Sequence, residues 1–62
     1  MDLIEAEFDH RKARKATQSR LRSEADELLA WLRGEHPHLP APTTKTIENR
    51  IRAAHREWKR VN

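Results

Sequence analysis

Three stretches of this chain carry apolar residues at helical spacing. Ile47, Ile51, Ala54, Trp58 and Val61 recur at intervals of four, three, four and three, which draws a stripe down one face of an α-helix. Thr43 or Thr44 supplies an N-cap behind Pro42, and neither Gly nor Pro interrupts the residues that follow, so the pattern predicts a helix over 44–61. Leu21, Ala25, Leu28 and Leu32 form a second stripe, widened by Leu29 and Trp31. Gly34 stands where a left-handed C′ residue belongs and Pro37 follows it, so this helix is expected over about 19–33. The first stretch is sparser, with Leu3, Ile4 and Phe8 backed by Ala6, Ala13 and Ala16. Acids at its start and bases at its end suit the helix dipole, and Glu7 can pair with Arg11 one turn on, which predicts a helix over about 2–16.

The second stripe, extended backwards, lands on Gln18, Arg14, Arg11 and Glu7. A single helix through residue 33 would therefore lose its apolar face between Phe8 and Leu21. Thr17-Gln18-Ser19 is the natural break, and the pattern leaves both one long helix and two shorter ones open. Residues 34–42, Gly-Glu-His-Pro-His-Leu-Pro-Ala-Pro, read as a Pro-stiffened loop with Leu39 as an anchor onto the core. No repeat and no strand emerges. The expected fold is all-α: residues 1–62 as one small domain of two or three helices, either a helical hairpin or a tri-helical bundle.

Composition narrows the function classes. The chain has 62 residues, 35% apolar and 37% charged, with no Cys. Below about 70–80 residues a single core rarely supplies more than roughly 3–5 kcal/mol, and small chains turn to disulfides, a metal or self-association. Without Cys, disulfides and thiolate zinc sites are excluded. A homodimer is the expected remedy, burying Trp31 and the Leu3/Ile4/Phe8 patch. No apolar run approaches a membrane span, and Met1 leads into an acidic stretch and not a signal peptide, so the expectation is a soluble, cytoplasmic chain with no membrane partner. No Ser stands in a nucleophile context and a chain this short has little room for a pocket, which argues against an enzyme. His36 and His38 flank Pro37 beside Glu35, with His10 and His55 elsewhere, but this matches no metal-ligand spacing, and neither metal nor cofactor is expected.

The net charge of +3 is a sum of opposing blocks. Acids dominate residues 1–9, bases fill 10–22, acids return over 23–42, and the last twenty residues are basic again. Arg outnumbers Lys nine to four, which suits recognition of phosphate or base edges. On the last predicted helix, at about 100° per residue, Lys45, Asn49, Arg52, Arg56, Lys59 and Arg60 fall within about 60° of the direction opposite Ile47. Glu48 and Glu57 are displaced to the flanks. A solvated helix without a partner more often mixes signs on its outer face, whereas Arg52 and Arg56 repel each other here.

That face fits a DNA major groove, where Arg reads guanine and Asn reads adenine. Lys45 and Asn49 would lie toward base edges, with Arg56, Lys59 and Arg60 nearer the phosphates. Arg11, Lys12, Arg14 and Lys15 are candidates for further phosphate contacts. The run Pro42-Thr43-Thr44-Lys45-Thr46-Ile47-Glu48-Asn49-Arg50-Ile51-Arg52 resembles the opening of recognition helices in helix-turn-helix DNA-binding proteins. The resemblance implies a transcriptional regulator or accessory DNA-binding factor that contacts double-stranded DNA. Roughly nine residues separate Arg33 from Thr43, longer than the three or four of a tight helix-turn-helix, so a looser tri-helical relative is implied. The alternative reading is a helical inhibitor or adaptor that docks the same basic face on an acidic protein partner.

Overall fold

A computed structural model describes residues 3–61. Among them it contains three α-helices and no strand: α1 (Leu3–Ala13), α2 (Leu21–Glu35) and α3 (Thr44–Val61). The expected helical start at residue 2 lies outside the described residues. The all-α expectation is met. The chain breaks around Thr17–Ser19, so α1 and α2 are separate helices. No helix among the described residues is long and apolar enough to cross a membrane.

The helix ends depart from the sequence expectation in an instructive way. α1 stops at Ala13, not residue 16, because Lys15 turns left-handed with φ 60°. Its N–H donates to the Lys12 carbonyl at 3.0 Å, and the Ala16 N–H donates to the Arg11 carbonyl at 2.8 Å. These paired bonds are a Schellman cap, here closed on a lysine where glycine is usual. Gly34, expected in that left-handed role, has no positive φ and lies inside α2, which continues to Glu35. The His36 N–H still donates to the Leu32 carbonyl at 2.8 Å, so helical bonding passes straight through the glycine. Pro37 supplies the stop, since a residue preceding proline is pushed out of helical geometry, and His36 has φ −132°.

Ile4 and Phe8 from α1, Ala25 and Leu28 from α2, and Ile47 and Ile51 from α3 form one buried cluster, with Leu21 and Leu29 packed against it. Leu32 is buried as well. The patch expected to need a second copy is therefore largely consumed within one chain: Phe8 is 1% exposed and Ile4 is buried, while Leu3 stays exposed. Trp31 is half-buried with its ring edge-on to His36, 5.4 Å between centroids. Leu39, expected as an anchor, is exposed and lines a shallow pocket with Leu3, Ile4, Leu32, Pro40 and Pro42.

α3 also turns a different edge inward. Its buried residues are Ile47, Ile51 and His55, each four apart, whereas Ala54 is exposed, Trp58 half-buried and Val61 78% exposed. The expected stripe through Ala54 to Val61 holds only over its first half. Successive steps of four advance slowly around a helix, so the buried line drifts toward His55.

A polar knot sits beside this core. The Arg11 Nε donates to Glu24 Oε2 at 2.8 Å and its Nη2 to Glu24 Oε1 at 2.9 Å, with Glu24 fully buried and Arg11 8% exposed. Arg11 Nη2 also donates to the Ala16 carbonyl at 3.0 Å, and the Gln18 N–H donates to Glu24 Oε1 at 2.9 Å. The Gln18 carbonyl in turn accepts from His55 Nε2 at 2.9 Å. Since a carbonyl only accepts, the proton of neutral His55 is on Nε2. The hydrogen bond to Glu24, outweighing burial, raises the Arg11 guanidinium above its already high ordinary pKa. The Arg11 guanidinium thus stays charged beside the buried carboxylate.

Candidate nucleic-acid interface

The candidate surface is built from the start of α3 outward. Thr43 is the N-cap: its hydroxyl accepts from the Thr46 N–H at 3.2 Å, and its carbonyl takes the first helical bond from Ile47 at 3.1 Å. The Thr44 hydroxyl donates to Asp26 Oδ1 at 3.1 Å, tying the same turn to α2. Further along, the His55 ring lies against Phe8 and Trp58, with centroids 6.2 and 5.3 Å away, and is held by Gln18. α3 is thus fixed along its inner side by Ile47, Ile51 and His55. Its rotation about its own axis follows from these anchors.

Lys45, Asn49, Arg52, Arg56, Lys59 and Arg60 are all exposed. The structure places them together on the side of α3 away from Ile47, as the spacing predicts. Three of them are engaged locally. Arg52 Nη2 donates to Asn49 Oδ1 at 3.1 Å, which couples the two residues able to read base edges. Arg60 Nη2 pairs with Glu57 Oε1 at 2.6 Å, an exposed pair worth about 0–1 kcal/mol that a phosphate could displace. The side chains of Lys45, Arg56 and Lys59 have no hydrogen bond or ion pair among the described residues.

The first basic block does not join this surface. Arg11 is withdrawn into the pair with Glu24, which corrects the expectation that it contacts phosphate. Lys12 Nζ pairs with Asp9 at 3.0 Å and lies 5.1 Å from the centre of the Phe8 ring. It lines a groove with Ala54, Glu57, Trp58 and Val61, on the flank of α3 away from Arg52 and Lys59. Arg14 Nη2 bonds Glu7 Oε2 at 3.2 Å. Lys15 is exposed at the left-handed turn. Three of these four cations have carboxylate partners within the fold, which the block pattern along the chain does not reveal.

Sequence reasoning missed Ser19 and Leu21, which face α3 across a cleft lined by Arg52, His55, Arg56 and Lys59. The available signal was the polar break itself, which had to bring the start of α2 against a neighbour. Among the described residues no group of three His, Asp or Glu is placed to hold a metal ion. No family model matches the chain, and no characterised protein or solved structure matches it significantly.

Proposed function

We propose that this chain binds double-stranded DNA through the outer face of α3, as a transcriptional regulator or accessory DNA-binding factor. The observation that carries the reading is the unmixed charge of that face: five cations and Asn49 stand on one side of a helix whose other side is locked to the core. α3 has 18 residues, about 27 Å at 1.5 Å per residue, and a major groove of about 12 Å width admits one such helix. Asn49 suits adenine and Arg52 suits guanine, with Lys45 beside them near the base edges, while Arg56, Lys59 and Arg60 suit flanking phosphates. The bond between Arg52 and Asn49 orients both before contact. Exposed Leu3 and Leu39, which border one shallow pocket, offer apolar surface to join two copies, and a two-fold pair would read a palindromic site.

Selection from a random duplex pool across a salt series tests the proposal. Enrichment of a defined sequence with a steep salt dependence is expected, and Asn49→Ala should flatten the preference while leaving residual binding. Absence of duplex binding even at about 50 mM salt, where phosphate contacts are strong, overturns it. The same face would then be tested against acidic proteins.

A further inference from the structure

We infer that the cleft between the start of α2 and the flank of α3 is a seat for a single phosphate group, gripped jointly by Arg56 and Lys59 with Arg52 at its rim. The inference rests on the reading above, because the phosphate it would take in the complex belongs to the DNA backbone. Ser19, Leu21, Arg52, His55, Arg56 and Lys59 line a cleft of about 280 Å³, room enough for a tetrahedral oxyanion. Three cations and no carboxylate stand around it. Four cations elsewhere in the fold are paired with acids: Arg11 with Glu24, Lys12 with Asp9, Arg14 with Glu7 and Arg60 with Glu57. Arg56 and Lys59 have no partner among the described residues. The one printed bond of the Arg52 side chain goes to a neutral amide oxygen.

Positive side chains on successive turns of one helix repel each other, and an anion between them removes that repulsion. The site is also rigid beneath. His55, buried and bonded to the Gln18 carbonyl, lies at its base, and the half-buried Leu21 forms an apolar wall. A low-dielectric wall strengthens attraction between the cations and an entering charge. The start of α2 adds charge of the same sign: Arg20, its N-cap residue, makes no side-chain cap bond. A free phosphate ion and a backbone phosphate share this chemistry, and they are separated by titrating each.

The experiment follows the amide resonances of Ser19 and Leu21 in the full chain. A short duplex is titrated in one series and inorganic phosphate in another, for the wild type, Arg56→Gln/Lys59→Gln and Arg33→Gln, an exposed cation at the end of α2. Both ligands are expected to shift the two amides in the wild type and in Arg33→Gln, and neither ligand in the double variant. Two cations sharing one phosphate should lower the salt slope of duplex binding by about 0.9 in the double variant, whereas contacts to separate phosphates would lower it by about 1.8. Duplex binding with the larger drop and unmoved Ser19 and Leu21 amides overturns the seat while the DNA reading stands. Phosphate-induced shifts that vanish in the double variant, without any duplex binding, uphold the seat and overturn the DNA reading. Silence from both ligands overturns both.

Discussion

Cutting the buried pair between Arg11 and Glu24 is a severe single perturbation of this fold. Arg11→Met keeps most of the side-chain volume and removes the charge. Glu24, 0% exposed, then keeps only the Gln18 N–H of its three hydrogen bonds. Breaking one side of a buried pair costs about 3–5 kcal/mol, because a carboxylate is left without compensation. At about 0.05–0.15 kcal/mol per residue a chain of this length is stable by only about 3–9 kcal/mol, so Arg11→Met should remove a third or more of the total stability. Adding Glu24→Gln removes the stranded charge and retains an acceptor for the Gln18 N–H. The double variant should therefore recover at least about 2 kcal/mol of coupling energy over the sum of the single losses. Urea unfolding followed by helical circular dichroism and by fluorescence of Trp31 and Trp58 measures the cycle. An Arg11→Met loss below about 1 kcal/mol, the value of an exposed pair, would refute the reasoning.

Three further substitutions test local geometry by the sign of their effect. Gly34→Ala should stabilise by about 0.5–1 kcal/mol in thermal unfolding, since a Cβ there meets nothing within 4 Å and φ is not positive; destabilisation would mean that Gly34 is the left-handed cap the sequence suggests. Lys15→Gly should stabilise by about 1 kcal/mol by relieving a left-handed non-glycine residue, and a loss of stability would place the end of α1 elsewhere. Thr17 Oγ1 is buried without a hydrogen-bond partner among the described residues, so Thr17→Val should be neutral or stabilising by up to about 1 kcal/mol in urea unfolding; a loss above about 1 kcal/mol would show that the hydroxyl has a partner.

The parts of the fold that follow from period and proline were legible in the sequence. α3 begins at Thr44 and ends at Val61 as expected because Thr43 caps it and nothing breaks it. What escaped depends on side chains reaching across sequence distance. A left-handed lysine gives no signal of its own, since the bonds at Lys15 and Ala16 favour that turn over the usual preference for glycine. Histidine counts as polar in a hydropathy pattern, so the stripe reads through Ala54 although His55 continues the spacing of Ile47 and Ile51 as regularly. Arg11 and Glu24 each looked like one charge in a block. Their pairing over thirteen residues appears only once α1 and α2 are folded together. The outer face of α3 was readable because it depends on a single helix, while the opposing wall of the cleft, Ser19 and Leu21, depends on how α2 meets it.

The Gln18 peptide has a consequence for the dynamics of the chain. Connecting segments usually exchange their amide hydrogens with solvent quickly, through openings that leave the core intact. Gln18 is exposed and lies between helices, yet its N–H is bonded to Glu24 and its carbonyl to His55. Releasing that amide breaks its bond to a carboxylate shared with Arg11 of α1, within a peptide whose carbonyl is held from α3. Its hydrogen exchange should therefore be as slow as that of Leu28 or Ile51 in the core, and should accelerate only with global unfolding. A loop amide with core-like protection would mark the three helices as one cooperative unit in which α1 does not peel away independently.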